Sequence, residues 1–133
     1  MHPFTVNTEN KAMVLDNISY LLNSFLKNTN FEYVLFVWVI HQPEIAQDIL
    51  QRLETADFKL ISITLTATPE KLRANIQQDV AAGKRELAAI EPSIARLPLY
   101  DQQATIKLDT TELTVPAAVT KMIQIINKAS DLD

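Results

Sequence analysis

Glycine is almost absent from this chain. The 133 residues include a single glycine, Gly83, whereas a domain of average composition and this length carries about nine. Glycine-rich phosphate loops need several glycines, because their backbone turns tightly and brings its N–H groups against a phosphate. Neither a GxxxxGKS/T pattern nor a GxGxxG pattern occurs in the sequence. The chain therefore lacks both of the common nucleotide-binding loops.

Cysteine is absent as well. This absence excludes a disulfide framework and any cysteine-ligated metal site, and it favours a reducing, cytoplasmic setting. The two histidines, His2 and His41, are far apart in the sequence and have no clustered carboxylates beside them. We therefore predict no metal site.

Positive charge is scarce. The chain has 12 lysines and arginines against 16 acidic residues, a formal net charge of −4. Because binding to nucleic acid depends on neutralising phosphates, we expect no nucleic-acid partner. The longest apolar run, residues 33–40, is far shorter than the roughly 20 residues that span a bilayer. Residues 1–4 lack the features of a signal peptide, so we expect no membrane association.

Patterns typical of helices and strands alternate along the chain. Apolar residues make up 47% of the sequence, which is enough to build the core of one domain over residues 1–133. Helical periodicity covers about residues 9–27, 43–56, 69–82 and 86–97, and returns from about 114 onward. Strand patterns cover about residues 33–40, 59–66 and 105–108. This order predicts an α/β fold whose mostly parallel sheet has about three strands flanked by helices.

Three prolines and the glycine mark helix ends. Thr68 and Pro69 suit the start of a helix, and Gly83 is placed to end it. Pro92 predicts a break or kink within residues 86–97, and Pro98 is expected to end that segment.

Polar residues follow the predicted strands, where ligands bind in parallel sheets. His41 follows the first strand, and Asp109 and Thr110 follow the last. His41 is a candidate acid–base or ligand-binding residue, and the alternative is a polar residue at a strand end. The alternative for residues 109–111 is an ordinary turn before a helix, which Asp and Thr favour.

Three stretches of the sequence resemble one protein family. They are residues 66–73 (TATPEKLR), 82–85 (AGKR) and 93–100 (SIARLPLY). They are similar to the fourth strand, the following helix and the mobile lid of small P-loop kinases of the shikimate-, gluconate- and nucleotide-kinase-like group. The similarity extends over nearly the whole chain to bacterial proteins described as AAA-family or shikimate-kinase-like ATPases.

The resemblance implies roles for several charged residues. Arg85 and Arg96 match lid positions, where cations neutralise the transferring phosphoryl group, and Lys84 is a weaker companion. Arg73 matches the helix that leads into the lid. By the same resemblance, Asp109 and Thr110 lie near the nucleotide base, and ATP with Mg²⁺ is the implied cofactor. His41 is a candidate for the same site because it follows the first predicted strand and could face the cleft. The alternative is that the arginines are solvated charges on amphipathic helices.

In the family, a first strand, the phosphate loop and its helix precede the part that this chain resembles. Such a unit needs roughly 30 residues or more. The resemblance therefore implies that Met1 is an internal methionine of a longer protein or the start of a truncated gene; a reorganised domain is the alternative. The missing strand would lie between the strands predicted at residues 33–40 and 59–66, so their edges would otherwise be open to another chain.

Three classes of function follow. The first is a kinase-like phosphotransferase that acts on a small-molecule acceptor and is inactive without its phosphate loop. The second is a non-catalytic α/β module that acts through self-association, as a homodimer, or through another partner. The third is an α/β hydrolase, which has no support because the chain contains neither a GxSxG motif nor cysteine.

Overall fold

The computed structural model describes residues 5–131, so His2 and the rest of residues 1–4 lie outside the described residues. No helix within that range is long and apolar enough to cross a membrane. Contacts divide the chain after Lys59 into two compact units, Met1–Lys59 and Leu60–Asp133. That residues 1–133 form one domain stays a prediction.

The first unit contains two helices, α1 (Thr8–Lys27) and α2 (Pro43–Gln51). The side chain of Asn7 caps α1 by accepting a hydrogen bond from the backbone N–H of Asn10 at 2.8 Å. Both helices start where the sequence predicts, with proline in the first turn of α2. However, α2 ends at Gln51, several residues before the predicted end near residue 56.

Polar contacts join the end of α1 to the segment after α2. Asn23 donates from Nδ2 to the carbonyl oxygen of Arg52 at 3.0 Å, and its Oδ1 accepts from the backbone N–H of Glu54 at 2.8 Å. Arg52 also pairs with Asp16 at 2.6 Å, and Lys27 pairs with Glu54. Because both ion pairs are solvent-exposed, they contribute little, and Asn23 supplies the specific link.

Residues 33–40 are not a strand, so this part of the sequence prediction is wrong. No backbone hydrogen bond joins residues 33–39 to another residue of the described range. The apolar, β-branched and aromatic pattern gives a high β-propensity. A strand also needs a neighbour to pair with, and the described part of the chain supplies none.

The second unit contains the sheet and most of the helices. In chain order its elements are β1 (Ile63–Thr66), α3 (Pro69–Ala81), a 3₁₀ turn (Leu87–Ala89), α4 (Ile90–Ala95), α5 (Leu97–Asp101), β2 (Ile106–Asp109) and α6 (Val115–Ser130). The unit is mixed α/β, as predicted. The residues described contain two strands instead of the expected three, and β1 is shorter than the predicted 59–66.

The two strands pair in parallel, from Ile63 opposite Ile106 to Thr66 opposite Asp109. The carbonyl oxygens of Ser62 and Thr66 accept hydrogen bonds from the β2 side at 3.0 and 2.8 Å. Successive residues of a strand direct their backbone groups to opposite edges. The backbone N–H and C=O groups of the even-numbered residues of β1 therefore point toward β2. The backbone groups of Ile63 and Leu65 therefore lie on an edge that no described strand covers.

The connection between α3 and β2 departs from the predicted broken helix. Gly83, with φ +72°, ends α3 in the left-handed region, as predicted. Pro92 lies in the first turn of α4, where a missing N–H breaks no helical hydrogen bond, so the expected break at this residue is wrong. Pro98 occupies the first turn of α5 and so does not end the segment.

The buried apolar core is small. Ile76 on α3, Ile90 at the start of α4 and Leu108 on β2 are buried in the second unit, and Ile49 on α2 is buried in the first. In the second unit α3 packs against the 3₁₀ turn and α4, and α5 contacts β1. The 3₁₀ turn, α4 and α5 together form what we call the helical connection. It is therefore anchored on α3 and on the sheet.

Candidate functional site

The carboxyl ends of β1 and β2 are tied together by threonines. Thr110 donates to the carbonyl oxygen of Thr66 from both its backbone N–H and its hydroxyl, each at 2.8 Å. Beyond this contact, the backbone N–H of Thr68 donates to the hydroxyl of Thr111 at 3.0 Å. We call these four threonines, together with Asp109, the threonine cluster. It lies at the edge of the sheet where parallel strands offer ligand sites.

Asp109 is the charged member of the cluster. Its Oδ1 accepts from the hydroxyl of Thr111 at 2.6 Å and from the Thr111 backbone N–H at 3.0 Å. These two hydrogen bonds lower the pKa of the Asp109 carboxyl, since they favour its charged form. This Asp109–Thr111 arrangement is an Asx turn, in agreement with the ordinary-turn interpretation of this loop.

The threonine hydroxyls of the cluster are engaged within the chain. Thr68 caps α3 by accepting from the backbone N–H of Lys71 at 3.2 Å, and Thr110 and Thr111 use theirs as described above. The Oδ2 atom of Asp109 accepts no hydrogen bond from any described residue. The cluster can therefore accept a hydrogen bond from a ligand hydroxyl or amino group through Asp109, and it has no acidic proton to give at neutral pH.

The lowered pKa of Asp109 leads to a testable pH dependence. Replacing Thr111 with Val removes the shorter hydrogen bond, so we expect the pKa of Asp109 to rise toward its ordinary value. A carboxyl whose pKa is lowered on folding stabilises the fold above its unfolded pKa, and this contribution is lost as the pH falls through the folded pKa. Carbon NMR titration of the Asp109 carboxyl measures the shift.

The matched control is Thr110→Val, since the Thr110 hydroxyl donates to Thr66 and not to Asp109. It should leave the pKa of Asp109 unchanged. Equal shifts in both variants would contradict the assignment of Thr111 as the partner that holds Asp109 ionised.

Two of the three predicted arginines pair with carboxylates. Arg73 on α3 lies 2.7 Å from Glu91 on α4, and Arg85 lies 3.3 Å from Asp79 near the end of α3. All four side chains are substantially exposed, so these pairs contribute little stability. They match the solvated-charge alternative, and a phosphate oxygen could replace either carboxylate only by breaking the existing pair.

Arg96 differs from the other two arginines. It is exposed where α4 gives way to α5, and no carboxylate within the described range pairs with it. Burial raises the pKa of the half-buried Tyr100 hydroxyl, and the nearby positive charge of Arg96 partly opposes that rise. Arg96 is therefore the one of the three predicted arginines that has no carboxylate partner among the described residues.

His41 belongs to the first unit, whereas the other candidate residues belong to the second. Its Nδ1 atom is buried and has no hydrogen-bond partner among the residues described. The structure brings Asp109 and Thr110 into one cluster and places the three arginines on or beside the helical connection. Roles for these residues in binding or catalysis stay predictions.

Thr66, Thr68 and Thr111 were not among the site residues predicted from the sequence, although Thr66 and Thr68 lie at the end of a predicted strand. The Asp-Thr-Thr order at residues 109–111 was the available signal, because it is typical of Asx turns. Within the described range, no group of three or more His, Cys, Asp or Glu side chains could hold a metal ion.

Comparisons with protein-family models, with curated proteins and with solved structures found no match for this chain.

Proposed function

We propose that this chain is the later part of a P-loop kinase-like phosphotransferase, and that its phosphate-binding loop is supplied by polypeptide outside this sequence. One observation carries the proposal. The strand β1 pairs with β2 on one edge only, and the connection between the two strands is a set of short helices that bears Arg85 and Arg96. This arrangement is expected of a kinase fold without its first strand and loop.

The open edge of β1 supports the proposal. Parallel sheets are normally covered on both faces and contain more than two strands. In β1 the backbone groups of Ile63 and Leu65 are directed to the uncovered edge, and both side chains are apolar and partly exposed. A further parallel strand at this edge would pair those backbone groups, and the helix that follows it in a parallel sheet would help to cover the apolar faces.

The residues in hand do not fit ATP–Mg²⁺ by themselves. The sequence has no glycine loop to bind phosphates, and no carboxylate cluster within the described range could hold a divalent cation. We therefore assign nucleotide and metal binding to the supplied segment, and we derive no step of the reaction from this chain alone.

Under this proposal the chain contributes charged side chains that bind and orient the reacting molecules. Arg96 pairs with no carboxylate of the described residues, so its guanidinium would be available to a phosphoryl oxygen. Arg73 and Arg85 would act only after exchanging Glu91 and Asp79 for phosphate. Asp109 presents an ionised acceptor beyond the end of β2, where a hydroxyl or amino group of the nucleotide or of the acceptor molecule could bind.

The DNA upstream of the Met1 codon tests the proposal. We expect an open reading frame that continues upstream and encodes GxxxxGKS/T after a strand pattern, at least roughly 30 residues before the resemblance begins. An in-frame stop codon with no such motif between it and Met1 would contradict the proposal.

A second candidate function is a non-catalytic α/β module that associates with itself. The observation that favours it is the exposure of apolar side chains in residues 33–39. This candidate needs no nucleotide, and the size of the particle in solution tests it.

A further inference from the structure

The extended segment at residues 33–39 has one half-covered face and one uncovered face. We call Tyr33, Leu35, Val37 and Val39 the outer face; their exposed fractions are 57%, 80%, 91% and 56%. The intervening Phe36 and Trp38 are less exposed, at 40% and 43%, and contact each other edge to face, with ring centroids 6.3 Å apart. This alternation with a period of two is the geometry of a strand, although the segment pairs with no described strand.

The outer face is apolar and uncharged throughout. Residues 33–39 contain no acidic or basic side chain. Soluble monomers rarely expose a contiguous apolar patch of this kind without using it for binding. Because no charge lies on the patch, neither an acidic nor a basic partner finds a complementary group there. An equally uncharged and apolar surface is the complement that fits.

The size of the patch suits a pair of copies. From the exposed fractions, the outer faces of two copies carry on the order of 1,000 Å² of accessible side-chain area, which is about the minimum for a specific interface. An open apolar groove of about 230 Å³ shares Tyr33 and Leu35 with this face and is otherwise lined by Phe25, Phe31 and Val34.

We propose that the outer face is a homodimer interface in which the same four side chains of two copies pack around a two-fold axis at Val37. Val37 is the most exposed of the four and lies between Leu35 and Val39 on the outer face. A two-fold axis there sets Val37 against Val37 of the second copy and brings Leu35 near Val39 on the other side. The contact is isologous and closed, so it ends at two copies. The inference does not rest on the proposed phosphotransferase function.

Sedimentation equilibrium of the chain and of two glutamate variants tests the interface. We expect the chain to form a particle of twice its 15.0 kDa mass. In Val37→Glu two carboxylates would face each other across the axis, so the dissociation constant should rise at least about 100-fold. The matched control is Val115→Glu, since Val115 is also highly exposed (79%) but lies on α6. It should associate like the unchanged chain.

A charge exchange tests the position of the axis. Val37→Lys alone should also be monomeric, and a mixture of Val37→Glu with Val37→Lys should recover the dimer, because the introduced carboxylate then faces an introduced ammonium. Far-UV circular dichroism verifies that each variant keeps its helices, as expected for changes at an exposed position.

Four results would overturn the inference. They are a monomer at every concentration, equal weakening by the Val37 and Val115 changes, a mixture that stays monomeric, and open-ended particles larger than a dimer. None of these results bears on the upstream reading frame, so failure of the dimer and failure of the proposed function can be told apart.

Discussion

Ile76→Ala is expected to lower the free energy of unfolding of the second unit by about 2–5 kcal/mol, the usual loss for removing a large aliphatic side chain from a core. Ile76 is the most deeply buried residue of the unit, with 1% of its surface exposed, and it lies on α3, which packs against the 3₁₀ turn and α4. The loss is large because domains of this size are stable by only roughly 5–15 kcal/mol.

Urea unfolding followed by circular dichroism measures the loss. Ile123→Ala is the matched control, because it deletes the same atoms from a side chain on α6 that is 52% exposed. We expect this control to change the free energy of unfolding by less than about 1 kcal/mol. Equal losses in the two variants would show that α3 is not anchored through Ile76, and would remove the support for a fixed helical connection.

Local signals predicted where α1, α2, α3 and α6 begin. Thr68 followed by Pro69 starts α3, and Thr114 caps α6 through a 3.2 Å hydrogen bond from the backbone N–H of Ala117. Gly83 ends α3 with the positive φ that glycine accepts most readily. These features succeed because a cap, a first-turn proline and a terminal glycine act within a few residues of each other.

The strands were less predictable because they depend on distant partners. Residues 33–40 have the composition of a buried strand, yet no described strand pairs with residues 33–39. Residues 59–66 form a strand only from Ile63 to Thr66, where β2 is opposite. Strand propensity describes a fit to a half-buried, paired surface, so it gives the wrong answer where the partner is missing.

The candidate site was predictable in place but not in detail. The rule that ligands bind beyond strand ends located the threonine cluster correctly as a meeting point of the two strands. The sequence did not indicate which carboxylate each arginine would pair with. The Arg73–Glu91 pair depends on how α3 packs against α4, whereas Asp79 and Arg85 both lie near the end of α3.

The open edge of β1 and the outer face share one property: no described strand covers either of them. Under the two proposals, the strand that precedes the phosphate loop would cover the first surface, and another copy of the chain would cover the second. Both surfaces are apolar, and the backbone groups of Ile63, Leu65 and residues 33–39 have no strand partner among the described residues. Natural sheets normally avoid this arrangement by covering their edges.

Titration of ATP–Mg²⁺ into two polypeptides tests the central claim most directly. One polypeptide is the 133-residue chain, and the other extends it upstream through the expected phosphate loop. We predict no heat of binding for the chain, because it has no loop to hold the phosphates, and saturable one-to-one binding for the longer polypeptide. At 100 times its dissociation constant, the nucleotide should stabilise the longer polypeptide by about 2.7 kcal/mol. Stoichiometric binding by the 133-residue chain alone, or no binding by the longer polypeptide, would contradict the account.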